Sequence, residues 1–119
     1  MSKRKDLLIE FCRSLPGATE DVKWGDNLIF SVGGKMFAGF QLPAGDPIGF
    51  KVDPLLFAGL VGHDGIVPAP YMAKNFWVHV TDQRKLPLET LKEFLVGSHR
   101  LVAEKLPKKT RVALGLATS

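Results

Sequence analysis

Two consecutive glycines, Gly33 and Gly34, separate two runs in which apolar residues recur at every second position. Leu28, Phe30 and Val32 alternate with Asn27, Ile29 and Ser31 before them; Met36, Ala38, Phe40 and Leu42 follow. A period of two sends successive side chains to opposite faces of a strand. Paired residues that tolerate positive φ suit a two-residue hairpin turn. A chain with this signal is committed to an antiparallel pair. Beyond the turn-forming stretch Pro43-Ala44-Gly45-Asp46-Pro47, Ile48, Phe50 and Val52 alternate again, giving three strands in a meander.

Helical periods flank the meander. Leu7, Leu8, Phe11, Cys12 and Leu15 form an apolar stripe, with Ser2 as the predicted N-cap and Pro16-Gly17 as the stop. Asp53-Pro54 predicts a short helix, because the carboxylate can cap free N–H groups and proline at the first position has no N–H to lose. Leu55, Leu56, Phe57 and Leu60 fill it, and Gly62 ends it. The segment from His63 to Met72, with Pro68 and Pro70, reads as a loop or interrupted edge strand. Phe76, Val78 and Val80 alternate with Trp77 and His79 as a further strand. Pro87 opens the longest helix, with Leu88, Leu91, Leu95, Leu101 and Val102 buried and Phe94 beside them. Pro107 breaks it, leaving one or two turns over 108–116.

These elements predict an α+β fold: an antiparallel meander sheet with terminal helices packed on one face, in the order α, three strands, α, one to three strands, α. At 119 residues, 45% of them hydrophobic, residues 1–119 suit a single domain with a real core. No apolar run approaches the roughly 20 residues of a membrane-spanning helix, and the N-terminus lacks the pattern of a secretory signal. The expectation is a cytoplasmic protein with no membrane partner. Cys12, the only cysteine, cannot form an intrachain disulfide and suits a small buried hydrophobe.

The net charge is +4, from 16 Lys and Arg against 12 acids. Lys3, Arg4 and Lys5 open the chain; Lys105, Lys108, Lys109 and Arg111 lie near its end. A basic run is unfavourable beside the positive end of a helix dipole. It is therefore either a solvated helix end or a contact for a polyanion. The seven residues together form the candidate nucleic-acid surface. A second candidate is the sheet face opposite the helices, where Trp77, His79 and Lys51 would lie with Ile29, Ser31 and either Phe37 or Met36. With Tyr71 in the neighbouring loop, this face could cradle a small ligand or a base; alternatively, the 63–72 loop covers Trp77 and it is core.

No catalytic pattern is found. His63, His79 and His99 have no partners at metal-ligand spacing, so neither a metal nor another cofactor is implied. Gly33, Gly34 and Gly39 do not form a phosphate loop. His63-Asp64 lies in a glycine-flanked turn, and Ser98-His99 lies on a helix without a nucleophile elbow. Glu20 and Asp21 lack the apolar surroundings that tune an acid/base pair. The reading is non-enzymatic.

Several stretches, in order along nearly the whole chain, are similar to MmcQ/YjbR-like proteins. They are Pro16-Gly17-Ala18-Thr19-Glu20, Trp24-Gly25, Gly34-Lys35-Met36-Phe37-Ala38, Asn75-Phe76-Trp77-Val78 and Ser98-His99-Arg100-Leu101-Val102, with Lys105-Leu106-Pro107-Lys108-Lys109 at the end. The resemblance implies a CyaY-like, double-wing domain of a type commonly called DNA-binding. It does not imply frataxin-like iron handling, since the first helix carries no acidic ridge. The motif positions that carry over are Lys35, Lys51, Trp77 and His99; Trp24 and Phe37 look structural. The expected function is weak, regulatory DNA binding through phosphate contacts. The alternative is a small-molecule or protein-binding module using the outer sheet face and the 63–72 loop.

Overall fold

A computed structural model describes residues 3–23, 25–41, 47–69 and 75–116. Helix α1 (Lys3–Ser14) is followed by strands β1 (Ala18–Lys23), β2 (Asn27–Val32), β3 (Lys35–Gln41) and β4 (Ile48–Lys51). After helix α2 (Pro54–Val61) come β5 (Ile66–Pro68), β6 (Trp77–Val80), a 3-10 turn (Gln83–Lys85), the long α3 (Leu88–Glu104) and the short α4 (Lys108–Ala113). The six strands form one antiparallel sheet in the order β1-β2-β3-β4-β6-β5. The α+β class, the meander and the helical ends agree with the sequence pattern.

The β2–β3 hairpin turns at Gly33 (φ 58°) and Gly34 (φ 81°), both in the left-handed region that glycine enters without a Cβ penalty. Gly33 is needed for space as well. A Cβ there would lie 2.6 Å from Leu106 Cδ1. Asp53 caps α2, accepting from Leu55 N at 2.8 Å, as its sequence predicts.

Alternation along the strands gathers Leu28, Phe30, Ala38, Phe40, Ile48, Phe50, Val78 and Val80 into the core with Leu8 and Cys12 of α1 and Leu91 and Leu95 of α3. Phe30 and Phe40 meet edge-on at 5.9 Å, and Phe50 stacks on Phe94 at 5.5 Å. The α3 stripe is buried through Leu91, Leu95 and Val102, while Leu101 and Leu88 are half-buried. α2 contributes less than its composition suggests. None of its residues is fully buried, and Leu55 is 91% exposed.

The structure adds an edge strand that apolar alternation did not signal. β1 contains Thr19, Glu20, Asp21 and Lys23 and is mostly exposed. Charged side chains are the expected dress of an edge, because they discourage pairing with another chain. Arg13 ties this edge to α1 through Glu20, at 2.6 and 2.9 Å, and also pairs with Glu10.

Candidate functional site

Three strand ends meet at one end of the sheet. β3 begins there with Lys35, β4 ends there with Lys51, and β6 begins there with Trp77, which lies opposite Lys51 in the register. Between Phe30 and Ser31 the β2–β3 register shifts, so that Phe37 is an extra residue in β3 and Met36 and Ala38 take the neighbouring pairings. Such a bulge disrupts the ladder and leaves a backbone group to be satisfied elsewhere. Ser98, wholly buried on α3, does this. Its hydroxyl donates to the Phe37 carbonyl at 2.6 Å and accepts from the Lys51 amide at 2.9 Å. The middle of α3 is thereby pinned to the strand ends. The helix then runs on to Val102 and Lys105, and Leu106 seats against Gly33.

The result is a cleft of about 280 Å³ between the end of the sheet and the end of α3. Lys35, Lys51 and Lys105 line it together with Met36, Trp77 and Leu106. No carboxylate is found among its described lining residues. Elsewhere cations do find acids: Arg84 pairs with Asp82 at 2.9 Å and Lys85 with Asp64 at 3.2 Å. In the cleft, burial pushes the pKa of Lys51 below the ordinary lysine range, and the adjacent Lys105 ammonium pushes it the same way. Trp77 forms an apolar wall and is 7% exposed. It is preceded by Phe76 at φ 62°, a left-handed conformation that is strained for an aromatic residue. The Phe76 carbonyl accepts from Val52 N at 2.9 Å, and its ring meets Phe57 edge-on.

The remaining sequence candidates are distributed as follows. Met36 takes the outer-face position and Phe37 turns into the core. His79 is half-buried on the outer face, where it lines a shallow groove of about 210 Å³ with Ile29, Gly39 and Trp77; burial lowers its pKa. Tyr71 and Trp24 lie outside the described residues, as do Ser2 and most of the Pro43–Pro47 turn. Lys3 is exposed at the start of α1. Arg4 donates to the Leu86 carbonyl, and Lys5, only 5% exposed, donates from its ammonium to the Gln41 carbonyl. Lys108 and Lys109 are exposed on α4, next in the chain after the cleft, whereas Arg111 lines a different cavity with Leu15, Pro16 and His99.

His99 is a structural residue here. Its Nε2 lies 2.7 Å from the Pro16 carbonyl and its ring meets Phe37 edge-on at 5.2 Å, so it joins α3 to the segment before β1. His63 and Asp64 form no dyad: the Asp64 carboxylate pairs with Lys85. Glu20 is held below the usual carboxylate range by its hydrogen bond from Arg13, the reverse of what a general acid needs at neutral pH. Burial pushes the Cys12 thiol up to about 12. Among the described residues no cluster of three or more His, Cys, Asp or Glu could hold a metal, and no helix is long and apolar enough to cross a membrane.

Sequence reasoning put Lys51 and Trp77 on one sheet face and singled out Lys35 as a motif position and Lys105 as a terminal cation, but it did not bring Lys35 and Lys105 to that pair. It weighed Ser98 only as a nucleophile and did not see its structural role. The available signal was a hydroxyl three residues after Leu95 and four before Val102, on the buried face of a helix.

Comparison with curated proteins found no match. Among solved structures, the chain resembles the crystal structure of a Deinococcus radiodurans protein with a DUF419 domain. The two are 33% identical with a TM-score of 0.83, over 97% of this chain and 90% of that one. A Pseudomonas syringae protein shares the fold at 22% identity and a TM-score of 0.69, over 86% of this chain and 99% of that one. The YjbR family model matches residues 13–101, which span the bulge, the Ser98 pin and the cleft residues from Lys35 to Trp77, but not Val102, Lys105, Leu106 and Pro107. With most of its length matched, the chain belongs to the YjbR family.

Proposed function

We propose that the protein is a non-enzymatic nucleic-acid-binding module whose phosphate contacts are made by Lys35, Lys51 and Lys105, and continue along Lys108 and Lys109. The observation that carries this reading is the cleft itself: three lysines, a tryptophan wall and no carboxylate among its described lining residues. Lysine is a compact point charge that suits phosphate contact better than bidentate reading of base edges. Binding of this kind is weak, with Kd of about 10⁻⁴–10⁻⁶ M at physiological salt, and tolerant of sequence.

In this reading the basic residues at the two chain ends do not act as one patch. Lys5 is bound at the Gln41 end of β3, while Lys105 shares the cleft with Lys35 at the other end, about 20 Å away at the usual strand rise. Lys51 and Trp77, first considered for a ligand-binding face with Tyr71 and His79, line the cleft with Lys105, which supports reading it as one site. Fluorescence anisotropy on mixed-sequence oligonucleotides, from low to moderate salt, tests the reading. The expected result is affinity that falls steeply with salt for every sequence and drops further in a Lys105→Glu, Lys108→Glu, Lys109→Glu variant. No binding at low salt would leave the cleft to a small ligand or a protein.

A further inference from the structure

The cleft has features that an internal stretch of nucleic-acid backbone does not require. Its volume of about 280 Å³ lies at the lower limit of small-ligand pockets, roughly 300–1,000 Å³. That suits one nucleotide unit better than a duplex groove. Two of its cations, Lys51 and Lys105, stand side by side, and no acid is among the described residues that line the cleft. A like-charge contact at a half-buried position is unfavourable, and the anion that best relieves it carries more than one charge. Internal phosphodiesters carry one negative charge each. A phosphate monoester carries about 1.5 to 2 at pH 7, because its second pKa is near 6. Lys35 supplies a third donor group, and Trp77, Met36 and Leu106 offer an apolar wall for the attached sugar or base.

We infer that the cleft is a site for a terminal phosphate monoester, carried either by a free mononucleotide or by the phosphorylated end of a nucleic-acid strand. This rests on the same lysines as the proposed function but narrows the ligand from backbone to end group. The dianion bridges Lys51 and Lys105, Lys35 closes on a remaining oxygen, and the nucleoside lies against Trp77.

The test compares two single-stranded oligonucleotides of one sequence, labelled at the 3′ end, one with a 5′-phosphate and one with a 5′-hydroxyl. Anisotropy is read at low salt, with AMP and adenosine as competitors. The 5′-phosphorylated strand should bind about tenfold tighter, the worth of one charge-assisted hydrogen bond. AMP should compete and adenosine should not. The difference between the strands should shrink as pH falls from 7 to 5 and the monoester takes up a proton. It should disappear in Lys105→Ala, an exposed position whose loss should leave the fold intact, with circular dichroism as the check. Equal binding of both strands at pH 7, with no competition by AMP, would overturn the end-group site while leaving nucleic-acid binding in place. Direct binding of AMP without binding of either strand would uphold the site and remove nucleic acid as the partner. No binding of any of these probes would overturn both.

Discussion

The basic residues at the start of the chain and those that line the cleft look alike as sequence, and their surroundings differ in kind. At the start, Arg4 and Lys5 spend their donors on the carbonyls of Leu86 and Gln41, so that these cations tie α1 to the sheet and to the approach to α3. Around the cleft, Lys35, Lys51 and Lys105 line open space, and no acid among the described lining residues neutralises them. Net charge counts the two groups equally. Burial and backbone partners separate them: a cation whose ammonium already satisfies a buried carbonyl has little to offer a ligand, whereas one without a carboxylate beside a neighbouring ammonium gains from meeting an anion.

The strongest challenge to this contrast comes from Ser98, which holds α3 against the cleft strands. Ser98→Ala strands the Phe37 carbonyl and the Lys51 amide, at a cost of about 1–3 kcal/mol for each group left buried without a partner. Urea denaturation should show the loss, and oligonucleotide affinity should fall even though Ser98 bears no charge. Unchanged affinity in a folded Ser98→Ala protein would mean that the pin does not shape the site.

Lys5 gives the next largest effect. Lys5→Met keeps the apolar stem and removes the bond to Gln41, and should cost about 1–2 kcal/mol of stability while leaving affinity for oligonucleotides unaltered. A fall in affinity with little change in stability would place Lys5 with the cleft lysines and end the contrast. Lys105→Glu should do the opposite. As an exposed substitution it should change stability by no more than about 0.5 kcal/mol, yet weaken binding and flatten its salt dependence.

Local signals were enough for the parts of the fold that depend on neighbours in sequence. The Gly33-Gly34 turn needs positive φ at two adjacent residues, and the Asp53-Pro54 helix start needs a carboxylate beside a ring without an N–H. Both are readable in a few residues. β1 was less legible because its partner, not its own composition, makes it a strand: Thr19, Glu20 and Asp21 carry no apolar alternation, and β2 supplies the ladder. The meaning of Ser98 was hidden for a related reason. A hydroxyl inside an apolar helix stripe can be noticed in the sequence, but the carbonyl it serves belongs to a bulge 61 residues away.

The sequence by itself determined the class of fold, the hairpin and the helix limits, because periodicity, glycine and proline act over one turn of chain. Only the tertiary structure decided which cations are tied down and which stand together. Lys35, Lys51 and Lys105 are far apart along the chain and meet only because antiparallel pairing brings the ends of β3, β4 and β6 to one end of the sheet and Ser98 fixes α3 across it. Electrostatic neighbourhood is a property of distance in space, and chain separation carries almost no information about it until the sheet register is set.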